Sequence, residues 1–146
     1  MMQRRTMGRA RSLAALAGLL LVVACVLPWW RLGGEDGIPA VGGNGFEASG
    51  IVVFLVGIAT LFLVALPFAA GDRPVGLDRA LAYWALAIAG WLALVLRFVD
   101  LLTSGALTFR EPAQVFTNGP GLWLAAVGLA VLSRATYQMS LEPTYR

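Results

Sequence analysis

The sequence predicts an all-α membrane protein, a bundle of four transmembrane helices joined by short loops. Three observations predict it. Apolar residues make up 59% of the 146-residue chain and charged ones 13%, about half the charged share of a soluble globular domain. The apolar residues gather in four runs, 13–30, 51–70, 80–96 and 121–133, which with their flanks suit spans of roughly 20 residues. Finally, eight of the eleven arginines lie on alternate polar segments: Arg4, Arg5, Arg9 and Arg11, then Arg73 and Arg79, then Arg134 and Arg146. The other segments hold Arg31 and Arg110, with Arg97 at a helix end. By the positive-inside rule this orients both termini to the cytoplasm.

Composition also bounds the chemistry. All eleven basic residues are arginine, which we read as the codon bias of a GC-rich bacterial genome, so the membrane is a bacterial plasma membrane crossed several times. The net charge of +3 is explained by topology and does not point to nucleic acid. With no histidine and no lysine, the commonest ligand of haem and zinc and the amine of Schiff-base cofactors are missing. Cys25 is the single cysteine and cannot form an internal disulfide. No cofactor and no metal site are expected. Four spans also use so much of the chain that residues 1–146 form one domain.

The first helix is expected over about 12–30, with Pro28 loosening its last turn and Trp29 and Trp30 at headgroup depth as interfacial anchors. A competing reading takes Arg4-Arg5 and the stretch ending at Cys25 as a lipoprotein signal, with the cysteine accepting the lipid. The apolar, aromatic Val26-Leu27-Pro28-Trp29-Trp30 that follows is unlike a polar lipoprotein tether and favours an uncleaved helix. Loop 31–47 is rich in glycine, and Ile38–Val41 and the residues around Phe46 suit a hairpin across Asn44-Gly45 or a neighbouring turn, with an irregular connection as the other reading.

The second helix is expected over about 48–70, with Thr60 bonding back to its own backbone. The third, about 79–101, begins after Asp78, a good N-cap. Near its other end Arg97 and Asp100 lie three residues apart on one face. Arg97 lies about 27 Å from Arg79 along the axis, so a snorkelling interfacial guanidinium is expected. If functional, the pair lines an outer vestibule with Glu47 or Glu111. Loop 102–119 suits a second hairpin, pairing Ala106–Phe109 with Gln114–Thr117. The fourth helix, about 120–136, starts at Pro120, acceptable in a first helical position, and Trp123 is a third interfacial candidate.

Lipid offers helices no hydrophobic drive to associate, so small residues that allow close approach mark the packing faces. Those expected are Ala14 and Gly18 on helix 1, Gly50 and Gly57 on helix 2, Ala82, Ala85, Ala89 and Ala93 on helix 3, and Gly121, Ala125 and Gly128 on helix 4. The spacings also suggest a duplicated helix pair: Gly18 precedes Gly50 by 32 residues and Gly90 precedes Gly121 by 31.

The motif Leu27-Pro28-Trp29-Trp30, followed by a Gly-rich loop and three more apolar runs, resembles uncharacterised four-helix membrane proteins of high-GC bacteria with an LPW-aromatic signature. The resemblance implies the layout and no function. Claudins share the layout alone, because their cysteine pair and loop tryptophan pattern are missing. The absence of activated nucleophiles, metal clusters and mid-membrane carboxylates argues against hydrolysis and ion-coupled transport. The function expected is therefore a non-catalytic structural or accessory subunit, binding lipid and associating with itself or a larger membrane complex. The alternative is an oligomeric channel or carrier for a small solute, with Arg97 and Asp100 at its mouth. An enzyme acting on lipid through Glu47, Asp100 or Glu111 is a third reading.

Overall fold

The computed structural model describes residues 8–34, 37–69, 78–107 and 112–141. Helix α1 (Arg9–Val26) leads into a two-stranded antiparallel sheet, β1 (Pro28–Leu32) and β2 (Val41–Asn44). Then follow α2 (Gly50–Ala69), α3 (Arg79–Thr103), a short α4 (Pro112–Asn118) and α5 (Pro120–Leu141). Helices α1, α2 and α3 are long and apolar enough to cross a membrane.

The four long helices form a closed ring in which α1 packs on α2 and α5, and α3 packs on the same two from the far side. Neighbours run antiparallel. The sheet and α4 sit together at the end of the bundle where α1 and α3 finish. The starts of α1 and α3, with Arg9, Arg11 and Arg79, lie at the opposite end, as does the end of α5 with Arg134.

Local chemistry accounts for the boundaries. Asp78 caps α3, its Oδ1 accepting from the backbone N–H of Ala80 at 3.1 Å and Leu81 at 3.3 Å. Pro120 opens α5, where a missing N–H costs nothing. Helix α1 ends at Val26, four residues before the expected Trp30. Proline disfavours helical backbone in the residue before it, and Leu27 is extended (φ −73°, ψ 155°). Pro28 therefore ends the helix and opens β1; it does not merely loosen a turn.

The loop expectations need two corrections. The sheet pairs Trp30 with Gly43, Arg31 with Gly42 and Leu32 with Val41. The first strand thus comes from the expected end of helix 1, and Ile38–Val41 does not pair with the residues around Phe46. In the second loop, Gln114–Thr117 belongs to α4, so no hairpin forms there; residues 108–111 lie outside those described. The two halves consequently differ in their connections, a sheet in one and a helix in the other.

The interior is lined by small and mid-sized side chains. Ala14, Ala17 and Gly18 of α1, Val53, Gly57 and Thr60 of α2, and Ala125, Gly128 and Leu129 of α5 are buried. At Gly18 and Gly57 the helices nearly touch: a Cβ on Gly18 would sit 3.1 Å from the Gly57 carbonyl oxygen, and one on Gly57 3.0 Å from Leu21 Cβ. Gly128 faces Leu21 and Leu20 across the α1–α5 contact, and Gly90 faces Leu129 and Val56. Thr60 satisfies its hydroxyl on the Val56 carbonyl at 2.7 Å, and Thr136 does the same on Leu132 at 2.8 Å. The large apolar side chains point outward, among them Leu19, Ile58, Phe62, Ile88, Leu92 and Val127.

The packing face of α3 is displaced from the alanine row. Its buried residues are Tyr83, Ala87, Gly90, Ala93, Leu94, Arg97 and Leu101. Of the expected four only Ala93 belongs to that face; Ala82 and Ala89 are half-buried and Ala85 is exposed. Small size alone does not fix a face, because Tyr83, Leu94 and Leu101 are buried on it as well.

Candidate functional site

The polar chemistry concentrates at the sheet end of the bundle, and Trp29 organises it. A helix bond from residue 28 would end on the Ala24 carbonyl, but proline has no N–H to give. The Trp29 indole supplies the donor instead, Nε1 reaching Ala24 O at 2.8 Å. The next carbonyl, Cys25 O, accepts from Gly45 N at 2.9 Å where the chain returns from β2. The strand register shifts between Pro28 and Trp30, leaving Trp29 unpaired and free to turn into the bundle.

The ring is 0% exposed, so Trp29 is a core residue and not the interfacial anchor expected of it. Glycines make the room. A Cβ on Gly45 would lie 2.6 Å from Cys25 Cα and 2.8 Å from the Trp29 ring, and one on Gly121 2.6 Å from that ring. Trp30 and Trp123 are half-buried; Trp123 stacks on Phe116 of α4 with centroids 4.6 Å apart.

Beside this plug lies the one charged cluster among the described residues with ion pairs. Arg97 Nη1 donates to Asp100 Oδ2 at 2.6 Å, and Nη2 donates to Glu47 Oε2 at 2.9 Å. The Arg97 side chain is 7% exposed, whereas Glu47 and Asp100 are 45% and 57% exposed. The guanidinium is thus drawn inward and does not snorkel, contrary to expectation. Its Nε is buried without a partner among the described residues. Glu47 Oε2 also accepts from Trp30 Nε1 at 3.1 Å, tying β1, the loop before α2 and α3 together. Ser49 adds a bond from Oγ to Ala93 O at 3.2 Å. Ala48, between them, holds a positive φ of 47°, a conformation that costs a non-glycine residue roughly 1–2 kcal/mol.

An open cleft of about 450 Å³ borders this cluster, lined by Val26, Pro28, Arg31, Ala40, Val41, Gly42, Gly43, Asn44 and Glu47. Arg97 and Asp100 do not line it, so it is not the vestibule expected of that pair; Glu47 is the residue shared. Glu111 lies outside the described residues. Nothing in the sequence marked the cleft, since it depends on strand register. Among the described residues, no group of three His, Cys, Asp or Glu side chains comes together to hold a metal.

Compared with known families, curated proteins and solved structures, the chain matches none. The likeness carried by Leu27–Trp30 brings no assigned residue with it, and the site is read from its own geometry.

Proposed function

We propose that the chain is a four-span protein of a bacterial plasma membrane with both termini cytoplasmic, acting as a non-catalytic structural or accessory subunit. The membrane placement is supported by the large apolar side chains on the outside of the bundle. In water, an exterior of Leu19, Ile58, Phe62, Ile88 and Leu92 would be an aggregation surface; in lipid it is the expected arrangement. The fourth span is α5, whose 22 residues extend about 33 Å. Arg134 near its end reaches the headgroups by its aliphatic stem.

The single observation that carries the accessory reading is the use of the glycines. Gly18, Gly57, Gly90 and Gly128 are all occupied by contacts within the chain, while the row of Ala82, Ala85 and Ala89 on α3 remains half-buried to exposed. That row is the face we assign to a second copy or another membrane subunit. The channel reading is the weaker, because Leu21, Val53, Leu129 and Leu132 fill the bundle axis with fully buried side chains and Arg97 is already held by two carboxylates.

Native mass measurement after gentle extraction tests the proposal. It predicts a particle larger than one chain for the wild type and a monomer for Ala85→Leu with its helix content unchanged. A wild-type protein that is monomeric and without partners would refute it.

A further inference from the structure

We propose that the cleft beside the sheet binds the headgroup of a phosphoethanolamine lipid, Arg31 taking the phosphate and Glu47 the ammonium. The proposal rests on the reading that α1 spans a bilayer, which puts the cleft, at the end of α1, level with the headgroups. Its volume of about 450 Å³ is within the usual range of small-ligand sites.

The lining has the two charges that such a headgroup requires. Arg31 is exposed on β1, and no ion pair among the described residues includes it, so its guanidinium is open for a bidentate contact to phosphate oxygens. Glu47 presents two different oxygens. Oε2 is occupied by Arg97 and Trp30, and among the described residues Oε1 receives no hydrogen bond. A primary ammonium, with three N–H donors, matches that vacant acceptor; a quaternary choline has none to offer, and a glycerol headgroup brings no positive charge. Asn44 adds a donor, since its Oδ1 is taken by Phe46 N at 3.1 Å and, among the described residues, its Nδ2 is left to donate.

The remaining walls suit the rest of the lipid. Val26 is 65% exposed and Val41 59%, giving an apolar surface for the glycerol and first acyl carbons, and Gly42 and Gly43 leave the floor free of side chains. Glu47 is held in place by the ties from Arg97 and Trp30 and by the absence of a side chain at Gly43, where a Cβ would run into the carboxylate. The acidic half of the site is thus formed before the lipid arrives.

The test places the full chain in nanodiscs of equal phosphatidylethanolamine, phosphatidylcholine and phosphatidylglycerol. Lipids retained after mild detergent transfer are then counted by mass spectrometry. Wild type is expected to retain phosphatidylethanolamine preferentially. Arg31→Gln, an exposed change that leaves the bundle intact, should lower that preference about tenfold. Val41→Trp, which fills the cleft from the rim, should do the same. Soluble glycerophosphoethanolamine, which has the headgroup and no acyl chains, should fail to displace the lipid at equal concentration. Equal retention of the three lipids, or an unchanged preference in Arg31→Gln, would overturn the proposal, and displacement by the soluble compound would overturn the lipid as the source of the headgroup. A chain that did not enter nanodiscs would defeat the membrane reading itself, before any lipid is counted.

Discussion

Trp29 shows how one backbone defect can determine a side chain's fate. Pro28 leaves the Ala24 carbonyl without a helix donor, and the indole satisfies it from within the core. Trp29→Phe should keep most of the ring's packing and leave that buried carbonyl unpaired, lowering stability by about 1–3 kcal/mol, read as a fall in the unfolding midpoint in mild detergent. Arg97 behaves differently. Its partners are half-exposed and remain hydrated without it, so Arg97→Met should change stability by less than about 1 kcal/mol. Glu47→Ala should cost more, about 1–2 kcal/mol after allowance for exposure, because it strips one carboxylate from a buried guanidinium whose Nε has no partner among the described residues. A midpoint that fell further for Arg97→Met than for Glu47→Ala would contradict this account of the cluster. The pairing of Arg97 with Asp100 was legible from their three-residue spacing, and Glu47 was one of two carboxylates expected beside them; the burial of Arg97 was not legible, since it depends on the ion pair to Glu47, 50 residues away in sequence. Two adjacent tryptophans after an apolar run read as interfacial anchors, yet the orphaned carbonyl four residues before Pro28 was the available sign that one of them turns inward.

At the scale of elements, hydropathy located the long helices because their apolar runs are uninterrupted, and Asp78 and Pro120 marked two starts correctly. The connections were harder. Val115, Phe116 and Thr117 favour strands by composition, but Pro112 in a first helical position was a start signal for α4. In the other loop a hairpin was expected between the wrong segments, because pairing begins at Pro28, inside what hydropathy counts as helix. The α1–α2 contact gives the clearest prediction at this scale. A Cβ on Gly57 already meets Leu21 Cβ and the Gly18 carbonyl at 3.0 and 3.2 Å, so Gly57→Leu should separate the two helices and cost about 1–3 kcal/mol or more by overpacking. Ala130→Leu, at an exposed position of α5 outside the row assigned to a partner, should leave the unfolding midpoint unchanged. Equal effects of the two would show that α1 and α2 do not cross at the glycines.

The whole molecule is an antiparallel ring of four helices with its sheet, its short helix and its paired charges at one end and the arginine-bearing ends of α1, α3 and α5 at the other. The proposed span of α5 is what brings both termini to one side, and it is the central claim of the four-span topology. Side-specific thiol labelling tests it, helped by the burial of the single native Cys25. Three exposed positions report the two ends: Gly8 before α1, Ile38 in the sheet loop and Ser140 near the end of α5. With a membrane-impermeant maleimide on intact cells, Ile38→Cys should be labelled, whereas Gly8→Cys and Ser140→Cys should react only after permeabilisation. Labelling of Ser140→Cys in intact cells together with Ile38→Cys would place the end of α5 on the same side as the sheet and contradict the four-span account.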